Sequence, residues 1–184
     1  MRVIAGSVRG FRLQAPPGQR TRPTADRVKE ALFNILAPYL SDRRVLDLFA
    51  GSGALGIEAL SRGAGRAVFV EKDAAALRAL RANLASTGMV ERAEVLPLDV
   101  SIALKNLQDR DEKFDLVFLD PPYRQGLIDS TLEKLAARPL LAPHGLVVAE
   151  SSERELVPDV VAGFKCYRRE TYGDTRLHFF HCEK

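Results

Sequence analysis

The chain has few residues that bind metal and none of the long apolar runs that insert into membranes. Among its 184 residues are two cysteines, Cys166 and Cys182, and three histidines, His144, His178 and His181. No Cys-x-x-Cys pair occurs, which argues against zinc, and two isolated thiols fit a reducing compartment. No stretch of about 18 apolar residues is present, so no membrane span is expected. The opening Met1-Arg2-Val3-Ile4-Ala5-Gly6 lacks the apolar core of a secretory leader, which predicts a cytoplasmic protein. There is no Gly-Lys-Ser/Thr, which excludes a P-loop. Internal repeats and low-complexity tracts are also missing. The remaining 46% hydrophobic and 28% charged content is that of an ordinary globular protein.

Net charge is only +3, but it is unevenly spread. Residues 1–44 hold nine basic and three acidic side chains, a net +6; the rest holds eighteen against twenty-one, a net −3. A basic arm on a mildly acidic body predicts a polyanionic partner. Arg9 and Arg12 lie on that arm, in a segment that reads as a short hairpin of Arg2–Ala5 and Phe11–Leu13. Thr24 is placed to cap a helix running to about Ala37, with Val28, Ala31, Leu32 and Ile35 on one face.

From Arg44 onward strand and helix alternate. Strands are expected over 45–49, 67–70, 94–98, 114–119 and 145–149, with Pro97 marking a bulge or weakening the third. Helices are expected over 54–61, 74–85, 101–107 and 128–136. The chain closes with an antiparallel pair, 164–169 and 176–180, turning at Tyr172-Gly173-Asp174. Successive β-α units build a mostly parallel sheet with helices on both faces. The fold class is therefore α/β, Rossmann-like, with an antiparallel C-terminal pair and a small N-terminal hairpin and helix. The expected division is a basic extension, 1–38, and a catalytic domain, 39–184.

Gly51-Ser52-Gly53-Ala54-Leu55-Gly56 matches G-x-G-x-x-G between a strand and a helix, the context this motif requires. Glu71 closes the next strand, 20 residues beyond Gly51, where a carboxylate can accept both hydroxyls of a ribose. An adenosine-containing ligand follows. Asp47 would repel a diphosphate, yet suits the cationic α-amino group of S-adenosylmethionine. It could equally tie down the glycine loop. Asp99, after the third strand, either reaches an adenine amine or caps the following helix. Phe49, Gly51, Gly53, Lys72 and Val100 complete the candidate cofactor set with Asp47, Glu71 and Asp99.

Asp120-Pro121-Pro122-Tyr123 leaves the fourth strand where open α/β sheets bind ligands. Methyl transfer needs the acceptor amine held in line with its donor. The Asp120 carboxylate and the Pro121 carbonyl, rigid in its Pro-Pro context, can accept the N–H bonds of a ring-conjugated amine. Tyr123 can stack on the base. Asp120, Pro121 and Tyr123 form the candidate catalytic set.

Together these stretches resemble the RsmD family of 16S ribosomal RNA guanine-N2 methyltransferases. The resemblance covers essentially the whole chain. It includes Thr21-Arg22-Pro23-Thr24, residues 27–34, Asp47 to Gly53, Val70-Glu71-Lys72, Asp120 to Tyr123 and Tyr172-Gly173-Asp174-Thr175. It implies S-adenosylmethionine as donor, no metal, and a guanine exocyclic amine in small-subunit RNA as acceptor, with ribosomal protein in the target and a monomeric enzyme. Arg22, Thr24 and Arg27 would lie near the cofactor mouth or the RNA. The candidate RNA set is thus Arg9, Arg12, Arg22 and Arg27, and deleting residues 1–20 should flatten the salt dependence of binding. Asp-Pro-Pro-Tyr serves adenine N6 equally well, so a DNA adenine methyltransferase is the alternative, with a nicotinamide-dependent oxidoreductase more distant.

Overall fold

The computed structural model describes residues 1–16, 23–123 and 125–182, leaving aside the side chains of residues 23 and 24. An eight-stranded sheet runs in the order β3-β2-β1-β4-β5-β8-β7-β6. Strands β1 (Arg44–Asp47), β2 (Arg66–Val70), β3 (Ala93–Leu96), β4 (Phe114–Leu119) and β5 (Leu141–Ser152) are mutually parallel. Strands β6 (Val160–Val161), β7 (Phe164–Tyr172) and β8 (Thr175–Cys182) add an antiparallel end, with β8 paired to β5. From β1 the chain winds outward to β3, then crosses to β4 on the other side of β1. The carboxyl ends of β1 and β4 therefore flank the point where strand order reverses, the usual ligand crevice of such sheets.

Helices cover both faces. On one lie α1 (Pro23–Leu36), α2 (Ala54–Ser61) and α3 (Ala74–Ser86), packed with Val45, Phe69, Phe118 and Val148. On the other, α4 (Val100–Asp109) and α5 (Leu127–Ala136) pack on Leu46, Val68, Val117 and Val147. Successive strand residues point to opposite faces, so each buried strand reads as a continuous apolar run.

Several boundaries differ from expectation for identifiable reasons. Helix α1 starts at Pro23, one residue before the position expected of its cap, because proline's fixed φ suits the first helical position. It ends at Leu36 and passes into a single 3-10 turn, Ala37–Tyr39, at Pro38. Strand β3 stops at Leu96 without a bulge, since Pro97 has no N–H for the ladder. Strand β5 has 12 residues rather than five, because it begins at Leu141 opposite Phe114 of β4, with a register shift before Leu146, and keeps pairing with β8 as far as Ser152. The short β6 had no sequence signal.

The N-terminal hairpin is held by one bridge, Arg2 to Arg12, with the Val3 amide donating to Phe11 (2.9 Å) and the Leu13 amide to Met1 (2.9 Å). It packs into the main core, where Val3 and Leu13 are buried. The Ile4 and Ala5 amides donate to Glu58 on α2 at 2.8 and 3.0 Å, and the Ser7 amide to the Ser61 carbonyl at 2.8 Å. The Gln14 amide reaches Asn83 Oδ1 on α3 at 2.8 Å, and Asn83 in turn donates to the Ser52 carbonyl in the glycine loop at 2.9 Å. Deleting residues 1–20 would therefore damage the core and cannot isolate an RNA contact. Charge substitution has to replace deletion.

Candidate active site

The turn after β1 is shaped by its glycines. Gly51 and Gly53 have φ of +55° and +83°, a region that L side chains rarely adopt. Gly53 caps α2, and a β-carbon at Gly56 would overlap the Phe69 ring on β2, so the third glycine sets how closely helix meets sheet. The Gly51 amide donates to Glu71 Oε2 at 2.8 Å, and Glu71 Oε1 accepts from the Lys72 and Asp73 amides, each at 2.8 Å. The carboxylate thus joins the ends of β1 and β2 and stays partly exposed beside the turn.

Asp99 caps α4, accepting from the Ser101 amide at 3.0 Å, and meets Lys72 Nζ at 3.2 Å. Both contacts hold its carboxyl below the usual range, the amide first. Val100 opens α4, and Phe49 lies half-buried after β1. Glycine loop, Glu71, Lys72, Asp99 and Val100 therefore line the carboxyl ends of three adjacent strands, β1, β2 and β3. The contacts account for Asp99 as a cap without a ligand.

Asp47 ends β1 and is 1% exposed. Its Oδ2 accepts from the Gly56 amide at a long 3.3 Å, so it does tie down the loop. Its Oδ1 is buried with no hydrogen-bond partner among the described residues. Burial, opposed by the Gly56 amide, reinforced by Glu71 and opposed weakly by the nearby Phe49 amide, pushes its carboxyl up to about 7. A buried carboxylate with an open lone pair is costly unless a donor arrives.

Asp120 follows β4. Asp47 pairs with Phe118 across the β1–β4 ladder, which sets Asp120 two residues farther along on the same face. Burial raises its carboxyl well above the normal range, with Glu150 and then Asp47 adding to it. Asp120 is partly exposed as a residue. Pro121 is buried, and Tyr123 is 42% exposed with its hydroxyl donating to Glu150 Oε1 at 2.6 Å. Burial first, then the charge of Glu150, raises the Tyr123 phenol, which keeps it protonated.

Glu150 was absent from the sequence-derived candidates. Leu119 pairs with Ala149 across the β4–β5 ladder, so Glu150 lies beside Asp120 on the shared face. The available signal was an acid ending an apolar strand, as Asp47, Glu71 and Asp120 do.

The arginines lie elsewhere. Arg9 and Arg27 are exposed and line a cleft of about 440 Å³ between hairpin and α1, together with Arg2, Asp26 and Glu30. Arg12 lines a neighbouring recess. None of the lining residues belongs to the strand ends that carry Asp47, Asp120 and Glu150. Arg22 lies outside the described residues. The basic surplus of the arm is also smaller than it reads. Lys29 is buried against Glu58, and Arg2, Arg43 and Arg44 pair with Asp26, Asp115 and Glu112.

Residues 1–181 match the family model described as "Conserved hypothetical protein 95". Ribosomal RNA small subunit methyltransferase D of Escherichia coli (strain K12) is 39% identical over 183 residues, covering 100% of this chain and 90% of that protein. YlbH of Bacillus subtilis (strain 168) is 42% identical over 180 residues, covering 98% of each chain. Among solved structures, yhhF of Escherichia coli superposes with a TM-score of 0.87 at 38% identity, covering 100% of this chain and 98% of that one. On the match along residues 1–181 and full-length identities near 40%, the chain belongs to the RsmD family of small-subunit ribosomal RNA methyltransferases.

Proposed function

We propose that this protein transfers a methyl group from S-adenosylmethionine to the exocyclic N2 amine of a guanine in 16S ribosomal RNA. The observation that carries the reading is Asp120, held at the carboxyl end of β4 beside the glycine turn, with its neighbour Tyr123 fixed by Glu150.

The residues present fit the donor. Asp47 Oδ1 is a buried acceptor without a partner among the described residues, suited to a cationic α-amino group. The Gly51–Gly53 turn lets backbone approach closely, Glu71 stands where ribose hydroxyls would be met, and Phe49, Lys72, Asp99 and Val100 form the rest of the rim. S-adenosylmethionine supplies an activated methyl carbon: the N2 lone pair forms the new N–C bond, the C–S electron pair stays on sulfur, and one N–H proton is released.

What the chain itself does is position. Asp120 and the Pro121 carbonyl accept the two N2 hydrogens, turn the nitrogen lone pair outward, and steady the positive charge that develops there. Asp120 then takes the released proton and passes it to solvent. Tyr123, locked by Glu150, offers its ring to the base. Extracting that base costs a few kcal/mol; one aromatic stack returns about 1–3 kcal/mol, and phosphate contacts from Arg9, Arg12, Arg22 and Arg27 supply more. On this reading residues 1–38 are an RNA-facing extension of a methyltransferase domain, 39–184.

The test is to incubate the protein with methyl-labelled S-adenosylmethionine and small subunits from a strain lacking this modification. Digested nucleosides are then separated. The reading predicts label in N2-methylguanosine at one site. Label in N6-methyladenosine, or none, would refute it.

A further inference from the structure

The grip formed by Asp120 and Pro121 suits any exocyclic amine, so it cannot tell guanine from adenine. Glu150 lies beside Asp120 on the adjacent strand and on the same face of the sheet. Tyr123 donates to one of its oxygens at 2.6 Å, which fixes the side chain, and no other hydrogen bond to the Glu150 carboxylate is found among the described residues. Its Oε2 is therefore available next to the amine grip.

Among the described residues, no ion pair joins a cationic side chain to Asp47, Asp120 or Glu150; Asp47 has the Gly56 amide and Glu150 the Tyr123 hydroxyl. Asp120 is raised by burial and by Glu150, Glu150 is raised by burial, and Asp47 Oδ1 nearby is buried without a partner. Such a row of acceptors calls for a row of donors. Guanine has one: its N1–H stands directly beside the N2 amine. Adenine has the reverse pattern, with its N6 amine flanked by the lone pairs of N1 and N7, either of which a carboxylate repels.

We propose that Glu150 is the residue that selects guanine, its free carboxylate oxygen accepting N1–H while Asp120 and Pro121 hold N2. This rests on the guanine-N2 reading above. A hydrogen bond to a charged acceptor discriminates by about 10- to 100-fold against a base that lacks the donor.

The decisive comparison uses subunits reconstituted with either guanine or 2,6-diaminopurine at the methylated position. Diaminopurine keeps the N2 amine but presents a lone pair at N1. The unaltered protein is expected to favour guanine by about 10- to 100-fold in kcat/KM. In Glu150→Gln, whose amide can turn to donate to N1, the gap should shrink to about threefold or less. Thermal stabilisation by S-adenosylhomocysteine should be unchanged, which a general structural defect would not allow. Equal use of both bases by the unaltered protein overturns the proposal without any variant. So does a full-sized guanine preference that survives in Glu150→Gln. If the unaltered protein methylates no guanine N2 at all, the function proposed above fails and this assignment fails with it.

Discussion

Two buried acids, Glu58 and Asp47, sit on the same side of the sheet and are treated in opposite ways. Glu58 on α2 is 0% exposed and saturated: it accepts from the Ile4 and Ala5 amides, from Arg62 Nε at 2.8 Å, and faces Lys29 Nζ at 3.3 Å. Asp47, 1% exposed, has among the described residues one long bond, from Gly56, and one oxygen with no partner. Desolvation costs several kcal/mol for each buried ion. The surroundings of Glu58 return that cost and fasten the N-terminal hairpin to the body. Those of Asp47 do not, and burial also raises the carboxyls of Asp120 and Glu150 beside it. Of this pair, the satisfied acid fastens the fold together, and the unsatisfied one stands at the glycine turn where a ligand would meet it.

The contrast can be broken most severely at Asp120. Asp120→Ala should lower methyl transfer by about 10³-fold or more, as expected when a group that stabilises developing charge is lost. Binding of S-adenosylhomocysteine should stay within a few-fold, and stability should not fall, since a crowded carboxylate has been removed. Single-turnover methylation alongside ligand-induced thermal shift checks all three; joint loss of binding and fold would make Asp120 structural. Glu58→Ala should do the converse. It strands Lys29 and Arg62 and should cost about 3–5 kcal/mol in denaturant unfolding, with any loss of activity following loss of fold.

A pH series sharpens the comparison. His178 is buried, its Nδ1 accepting from Arg169 Nε at 3.1 Å and its Nε2 meeting Ser151 Oγ at 2.9 Å. Ser151 Oγ also donates to the Ser152 carbonyl, so the ring is neutral with its hydrogen on Nε2. Burial, then Arg169 and Arg176, lowers its pKa from 6.5 to about 4. With the folded value depressed, the unfolded chain binds the proton more readily. Stability is complete above 6.5 and falls, by up to about 3 kcal/mol, as pH drops towards 4. Asp47, raised to about 7, works in the opposite sense over an overlapping range. The unaltered protein should therefore show a shallow acid profile, and Asp47→Asn a visibly steeper loss between pH 6.5 and 4. A profile of equal slope in both would mean that Asp47 does not titrate there.

The smallest effect concerns the arm. Replacing Arg9, Arg12 and Arg27 together by alanine should weaken subunit binding and reduce the slope of log K against log salt by about two to three. Folding should be intact, because all three side chains are exposed. An unchanged slope would remove them from the RNA interface.

Much of the sheet was legible in the sequence because its strands are buried on both faces. Val45–Leu48, Ala67–Val70 and Phe114–Leu119 each read as an apolar run closed by a turn or an acid. The limits of α2 were legible too, from the glycines before it and Arg62-Gly63 after it. The length of β5 was not, because residues 141–144 join it beside β4 across a register shift, and Ser151 and Ser152 are polar and become strand only by pairing with β8. The Lys29–Glu58 pair was equally hidden. Glu58 looks like a solvated helix position, and nothing local says that it meets Ile4, 54 residues away. The carboxylates of the candidate site were visible singly as strand-ending acids. Their crowding on one face depends on register across β1, β4 and β5, which one-dimensional pattern cannot supply, and Glu150 was missed for that reason.

The claim that Asp47 is left unsatisfied for a ligand is tested most directly by the unfolding free energy of Asp47→Asn at pH 8 without ligand. The substitution keeps an acceptor for the Gly56 amide and removes the buried charge. Given a folded pKa of about 7 against 3.8 when unfolded, the variant should be more stable than the unaltered protein by up to about 4 kcal/mol, while its affinity for S-adenosylmethionine drops at least tenfold. A variant that is less stable, as Glu58→Ala is expected to be, would contradict the account.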